Sequence, residues 1–294
     1  MGELNKEYEA SLKSIETENL IDRIFYRPLG FCIARMLCST PITPNIVTVI
    51  SIFVGASAGY LFHFQDIEHN VYGIFLLIFA NILDCTDGQL ARLSGNKSTI
   101  GRILDGLAGD IWFTFIYVGL AFRLSHQYGT SWFYVAAVVS GLSHLGQANI
   151  TDYYKTLHLY FISKEKGCEF QTIEQVKAHH KEMKPGLNKV FYLLYRLYTF
   201  IQEKATPSLQ RMLASLHDTY GDDIPQDIRT SFRRKSSKLM TCINLMTFNG
   251  RTVILFIVLF TGYVWAYFAY EILFLNIILL ITMKKHEKMC ATFY

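Results

Sequence analysis

Residues 82–112 read "ILDCTDGQLARLSGNKSTIGRILDGLAGDIW" and hold four aspartates, Asp84, Asp87, Asp105 and Asp110. Asp84 and Asp87 lie three residues apart, so on a helix they share a face. Gly101 and Asp105 are one turn apart on the next segment and can face that pair. The flanks "VYGIFLLIFAN" and "FTFIYVGLAF" are apolar enough to be bilayer. Carboxylates beside hydrocarbon are costly unless paired or hydrated, and several that converge repel one another. Two nearby arginines do not balance four acids. Oxygen donors without histidine or thiolate favour Mg²⁺ or Mn²⁺. Such ions commonly complete their shells with phosphate oxygens. Gly88, Ala91 and Gly101 carry little bulk, which lets a ligand approach the helices closely. Arg92, one turn from Gly88, has the fork that grips phosphate. Together these residues describe a diphosphate site at the mouth of a membrane bundle. Two other readings stay open at this level. The acids are the solvated ends of two helices, or they mark a proton or cation path.

The elements that must position these residues are apolar helices. The chain is 51% hydrophobic and 18% charged, with a net charge of +4. That mild excess of positive charge does not point to nucleic acid. Nearly continuous apolar runs cover 42–64, 70–83, 111–124, 130–150 and 252–283. With its flanks, each of the first four reaches the ~20 residues that cross ~30 Å of hydrocarbon. The fifth is long enough for two helices turning near Gly262 or Tyr270. The expected fold is therefore all-α: a polytopic membrane protein of about six transmembrane helices.

Lys and Arg set the expected orientation. Arg23, Arg27, Arg35, Arg92, Lys97, Arg102, the "RRK" at 233–235, Lys284 and Lys285 fall on one side, whereas the loops "QDIEHN" and "SHQYGT" hold neither residue type. Both termini and the aspartates are thus expected at the cytoplasmic face of an integral membrane protein. The polar opening "MGELNKEYEASLKSIETENL" shows no cleavable secretory signal. The six cysteines have neither CxxC nor zinc spacing and read as reduced packers.

The chain divides by pattern into an N-terminal cytoplasmic and interfacial region, 1–40; spans 1–4, 41–154; a cytoplasmic helical insertion, 155–240; and spans 5–6 with the tail, 241–294. Residues 11–37 read as an amphipathic helix lying at the interface. "TPITPN" breaks it and starts span 1 with Pro44. Span 2 is expected to end near Leu93 and span 3 to begin near Thr99. In the insertion, Leu187, Val190, Phe191, Leu194, Leu197, Tyr198 and Ile201 keep helical spacing. That helix lies on the membrane surface or packs over the spans. Arg233, Arg234, Lys235 and Lys238 offer charge to anionic membrane lipids. Gly55 and Gly59 form GxxxG, which serves either packing within the chain or a homodimer. His144, inside span 4, reads as a hydrogen-bonding residue between helices rather than a metal ligand.

The stretch from Asp84 to Asp105 resembles the pattern of the CDP-alcohol phosphotransferases, D-x-x-D-G-x-x-A-R, eight residues, then G-x-x-x-D-x-x-x-D. Asp84, Asp87, Gly88, Ala91, Arg92, Gly101 and Asp105 match in identity and spacing, and "TPNIVTVIS" at 43–51 is similar to the family's opening. The resemblance covers roughly 20–154. It implies a six-helix membrane enzyme that passes the phosphoryl part of a CDP-linked donor to an alcohol and releases CMP. By the same resemblance, Asp84, Asp87, Asp105 and the fourth acid hold two divalent ions, Mg²⁺ or Mn²⁺. Gly88, Ala91, Arg92 and Gly101 cradle the CDP.

One position departs from the pattern. The fourth aspartate, the family's base for the acceptor, belongs at 109, where this chain has Gly109, followed by Asp110. On a regular helix Asp110 sits about 140° around from Asp105 instead of about 40°. A π-bulge eased by Gly106 and Gly109 would restore the facing and leave Asp110 as catalytic base and metal ligand. Otherwise acceptor activation differs. "FYRPLGF" and "ILDCTDGQLARL" are most similar to members that make inositol phospholipids, which makes CDP-diacylglycerol the expected donor and an alcohol or phospho-alcohol the acceptor. Arg251 and Arg102 are the candidates for binding a second phosphate. Phosphatidylglycerophosphate, phosphatidylserine and ethanolamine- or choline-type chemistry are the enzymatic alternatives. A transporter or an inactive CDP-binding scaffold are the non-enzymatic ones.

Overall fold

A computed structural model describes residues 2–96, 98–163, 167, 170–221 and 223–294. Lys97 and Cys168 lie outside the described residues, as does Asp222. Fourteen α-helices and two turns of π-helix form the described chain, with no strand among the described residues. The helices fall into two compact units, residues 1–145 with 248–274, and residues 146–247 with 275–294.

The first unit opens with α1, Gly2–Ser11, followed by a turn of π-helix at Asp22–Tyr26 that runs straight into α2, Arg27–Leu37. The amphipathic helix expected over 11–37 is therefore shorter, because the chain between Ser11 and Asp22 folds into turns. One of them closes where the Thr17 hydroxyl donates to the Ser14 carbonyl at 3.2 Å. α3, Pro44–Leu61, begins as the sequence predicts: Thr43 caps it by accepting from the Ile46 N–H, and Pro44 takes the first helical position. α4, Ile67–Leu93, is capped by Asp66, and α5, Thr99–Tyr128, by Ser98, whose hydroxyl accepts from the Gly101 N–H at 2.9 Å. α6, Trp132–Ile162, α12, Phe248–Thr261, and α13, Trp265–Ala269, follow. The long apolar run breaks at Gly262, whose φ of +80° suits glycine, and a second turn of π-helix occupies Tyr270–Phe274.

Four helical stretches are long and apolar enough to cross a membrane: Pro44–Leu61, Ile67–Leu93, Thr99–Tyr128 and Trp265–Cys290. α12 is apolar but shorter. α6 has the length, but Ser140, Ser143, His144, Gln147, Asn149, Thr151 and Asp152 dilute its apolar character. Phe53, Phe75, Phe115 and Phe260 stand exposed on the first unit's spans, as lipid contact requires. Phe62, Leu77, Ile116, Leu120, Leu255 and Tyr267 fill its interior.

The GxxxG of α3 is used inside the chain. A Cβ on Gly59 would fall 2.6 Å from the Phe115 backbone, and one on Gly119 would fall 2.3 Å from the Gly59 carbonyl oxygen. Here α3 and α5 meet backbone to backbone, the close approach that small-xxx-small motifs permit.

The second unit gathers α7, Ile173–Glu182, α8, Leu187–Ala205, α9, Pro207–Tyr220, α10, Gln226–Ser237, α11, Met240–Leu245, and α14, Leu275–Cys290. Phe161, Leu209, Met212, Phe232 and Ile243 form its core. α8 is amphipathic as its spacing predicts, and its stripe of Val190, Leu194, Leu197 and Ile201 stands exposed.

Candidate metal centre and active site

α4 and α5 carry the aspartates. Asp84, Asp87 and Asp105 each offer a carboxylate oxygen, and the three oxygens lie within 4.8 Å of one another. Asp87 is buried, with Asp84 and Asp105 partly so. The Thr48 hydroxyl of α3 donates to Asp87 Oδ2 at 2.5 Å and fixes that carboxylate. Lys13, Arg27 and Arg92 are the positive charges close enough to act on Asp105, and Arg27 also acts on Asp84. Arg27 is itself held by Glu18 at 2.9 Å. Three carboxylates packed this tightly repel one another, which a cation among them would relieve. Their all-oxygen donor set, with no thiolate or imidazole in the group, fits a hard divalent ion.

The other expected site residues fall as follows. Gly88 lies against the Arg92 guanidinium: a Cβ there would sit 3.3 Å from Nη2. Ala91 is half-buried on α4. Arg92 Nε donates to the Ser11 carbonyl, which tethers it to the end of α1, and Gln89 donates to the Ser11 hydroxyl at 3.1 Å. Gly101 faces Asn45, whose Oδ1 would lie 2.8 Å from a Cβ there. Sequence reasoning missed Lys13, Asn45 and Thr48 as neighbours of the aspartates. The signal for the last two was present in "TPNIVTVIS".

Asp110 is not brought to the trio. α5 is α-helical throughout, so the π-bulge expected near Gly106 and Gly109 does not form, and the π-turns occur elsewhere. Asp110 instead meets His144 Nε2 at 3.4 Å. His144 Nδ1 in turn lies 3.1 Å from the Tyr117 hydroxyl, and its ring packs 4.7 Å from that of Phe113.

The structure also gives Arg251 a partner other than an anion from solvent. Its guanidinium is 1% exposed, donates to Glu271, which is fully buried, and lies 5.7 Å over the Phe113 ring. Glu271 comes from the π-turn that follows α13, and this is the geometry that brings it opposite α12.

Residues 41–171 match the family model described as CDP-alcohol phosphatidyltransferase. The aspartate trio, Thr48 and Asn45 all lie within the matched residues. Among curated proteins, the archaetidylinositol phosphate synthase of Pyrococcus horikoshii is similar, with 36% identity over 89 residues that cover 30% of this chain and 46% of the relative. The chain thus aligns with about half the length of that relative.

Proposed function

We propose that this protein is a metal-dependent phosphotransferase of phospholipid biosynthesis. It transfers a substituted phosphate from a CDP-linked donor to an alcohol and releases CMP. The observation that carries this reading is the close approach of Asp84, Asp87 and Asp105, from two helices, inside the matched domain. These three residues would hold the ions, Mg²⁺ or Mn²⁺. Bound there, a pair of such ions would neutralise the donor's diphosphate and stabilise the departing CMP. Thr48 keeps Asp87 oriented. Arg92, Lys13 and Arg27 add positive charge around the diphosphate, and Gly88, Ala91 and Gly101 leave room for the nucleotide. The basic loops favour a site open to the cytoplasm, with both termini on that side.

An inositol phospholipid made from CDP-diacylglycerol is the product this reading favours. Its support is the likeness to an enzyme whose name specifies an inositol phosphate lipid. The test is CMP release by the purified protein in lipid nanodiscs. CDP-diacylglycerol is offered with inositol, inositol 1-phosphate, glycerol 3-phosphate or serine, and the lipid products are identified by mass. Release that requires Mg²⁺ or Mn²⁺ is expected. If no CDP donor yields CMP with metal present, the reading fails.

A further inference from the structure

Residues 11–22, from the end of α1 to the first π-turn, form a strap in the first unit that polar bonds tie at both ends. At one end Ser11 takes two bonds from α4: Gln89 donates to its hydroxyl at 3.1 Å, and Arg92 Nε donates to its carbonyl. At the other end Asn249 of α12 donates to Asn19 Oδ1 at 2.9 Å and to Asp22 Oδ1 at 2.7 Å. Ser11, Ser14 and Thr17 are buried, while Ile15, Leu20 and Ile21 stand exposed. The strap thus turns these polar side chains inward and these apolar ones outward. An element held by a few hydrogen bonds, with little apolar surface buried, opens at low free-energy cost.

The strap engages the positive charge of the site. Gln89 and Arg92 follow Asp87 on α4, so the Ser11 end lies on the helix that carries two of the three aspartates. Arg92 donates to Ser11, and Arg27 pairs with Glu18 at 2.9 Å, a carboxylate only 6% exposed. Lys13, half-buried and just beyond Ser11, is close enough to act on Asp105. The two arginines that would meet the donor's diphosphate are therefore both engaged by this one segment. A charged phosphate is a stronger acceptor for a guanidinium than a backbone carbonyl, and a diphosphate offers two such groups to two arginines.

We propose that residues 11–22 are a strap that closes the site when no donor is bound, and that the donor's diphosphate opens it by drawing Arg92 from Ser11 and Arg27 from Glu18. The inference rests on the transfer reading above. In the closed state Ser11 and Glu18 serve the two arginines, and Lys13 lends its charge to the trio. As the diphosphate arrives, those bonds are exchanged, and the contact with Asn249 is left to hold the strap alone. Part of the donor's binding free energy goes to this opening, so its apparent affinity is the intrinsic one reduced by the fraction of open molecules. Loosening the strap at Glu18 or Asn249 therefore tightens apparent donor binding, whereas a merely structural loss would weaken it.

The test has two arms, both on the full chain in nanodiscs. In the first, trypsin is applied to the wild type with and without CDP-diacylglycerol and Mn²⁺, with no acceptor present, and the cut after Lys13 is timed by mass against the cut after exposed Lys6. Donor is expected to speed the Lys13 cut severalfold and to leave the Lys6 cut unchanged. In the second arm, Glu18→Gln and Asn249→Ala are each expected to lower the donor KM by about 3- to 10-fold, the worth of one hydrogen bond, with kcat held within about twofold. Both should also be cut faster after Lys13 without donor. A Lys13 cut that donor leaves unchanged or slows, or a donor KM that is unchanged or raised in both variants, overturns the inference while CMP release by the wild type keeps the transfer reading. A donor-accelerated cut in a wild type that releases no CMP keeps the strap and overturns the transfer reading.

Discussion

The Thr48 hydroxyl donates to Asp87 Oδ2 at 2.5 Å, which links the first span to the carboxylate trio of the second and third. Charge-assisted bonds of this kind fix a ligand's orientation before an ion arrives. Thr48→Val should therefore weaken Mn²⁺ activation of CMP release by about 10- to 100-fold while leaving the fold intact. Asp87→Asn, which removes a ligand, should cost more than about 100-fold. Chelation should abolish turnover of the wild type, and added Mn²⁺ should restore it. Manganese titrations of the three proteins check these outcomes.

The backbone contact between α3 and α5 predicts a stability effect that separates close-packed from open glycines. Gly119→Ala forces a methyl group against the Gly59 carbonyl and should destabilise the protein by about 1–3 kcal/mol. Gly106→Ala meets open space and should be nearly neutral for folding. Thermal unfolding in one detergent compares the two.

Arg251 and Glu271 are a buried ion pair within the spans. Removing one partner strands the other charge, so Glu271→Gln should cost about 3–5 kcal/mol. Arg251→Met/Glu271→Leu removes both charges and should recover part of that loss. A double-mutant cycle on unfolding midpoints measures the coupling.

Outside the spans, Asp66 caps α4. It accepts from the His69 N–H at 2.9 Å and lies 2.7 Å from His69 Nδ1. The backbone bond first, and the ring second, hold its carboxyl below the ordinary carboxylate range. A carboxyl lowered in the folded state adds stability above its unfolded value, near pH 4, and loses it as the pH falls through the folded value. Asp66→Ala should therefore unfold slightly earlier than the wild type at neutral pH, and the two curves should converge in strong acid.

The trio was legible in the sequence because its geometry is local. Three-residue spacing on α4 and the Gly101–Asp105 turn on α5 fix the faces with no knowledge of the rest of the chain. The breaks at Thr43–Pro44, Leu93, Thr99 and Gly262 were legible for the same reason, through caps and a turn. The regular-helix geometry correctly turned Asp110 away from the trio, but the bulge offered as a remedy lies elsewhere, at Asp22–Tyr26 and Tyr270–Phe274. His144 was not legible as its partner, because their meeting depends on how α5 and α6 are juxtaposed. Lys13 and Arg27 were not legible as neighbours of the aspartates, because the single helix read over 11–37 breaks into turns between Ser11 and Asp22, and the facing of both residues depends on that break. Glu271 stands 20 residues from Arg251, and its facing depends on a π-turn that no local pattern announces.

Because Gly59 and Gly119 touch with no layer of side chains between them, α3 and α5 have nothing compressible along which to slip. The two helices act as one splint, parallel from the Asn45–Gly101 contact to the Gly59–Gly119 contact. Thr48 and Gly59 are separated by about 16 Å along α3. The spacing of Thr48 and Asn45 from Asp105 is thus clamped at a point near the far end of α3. Bilayers of different thickness should tilt this splint as a whole, leaving the geometry at the carboxylates unchanged.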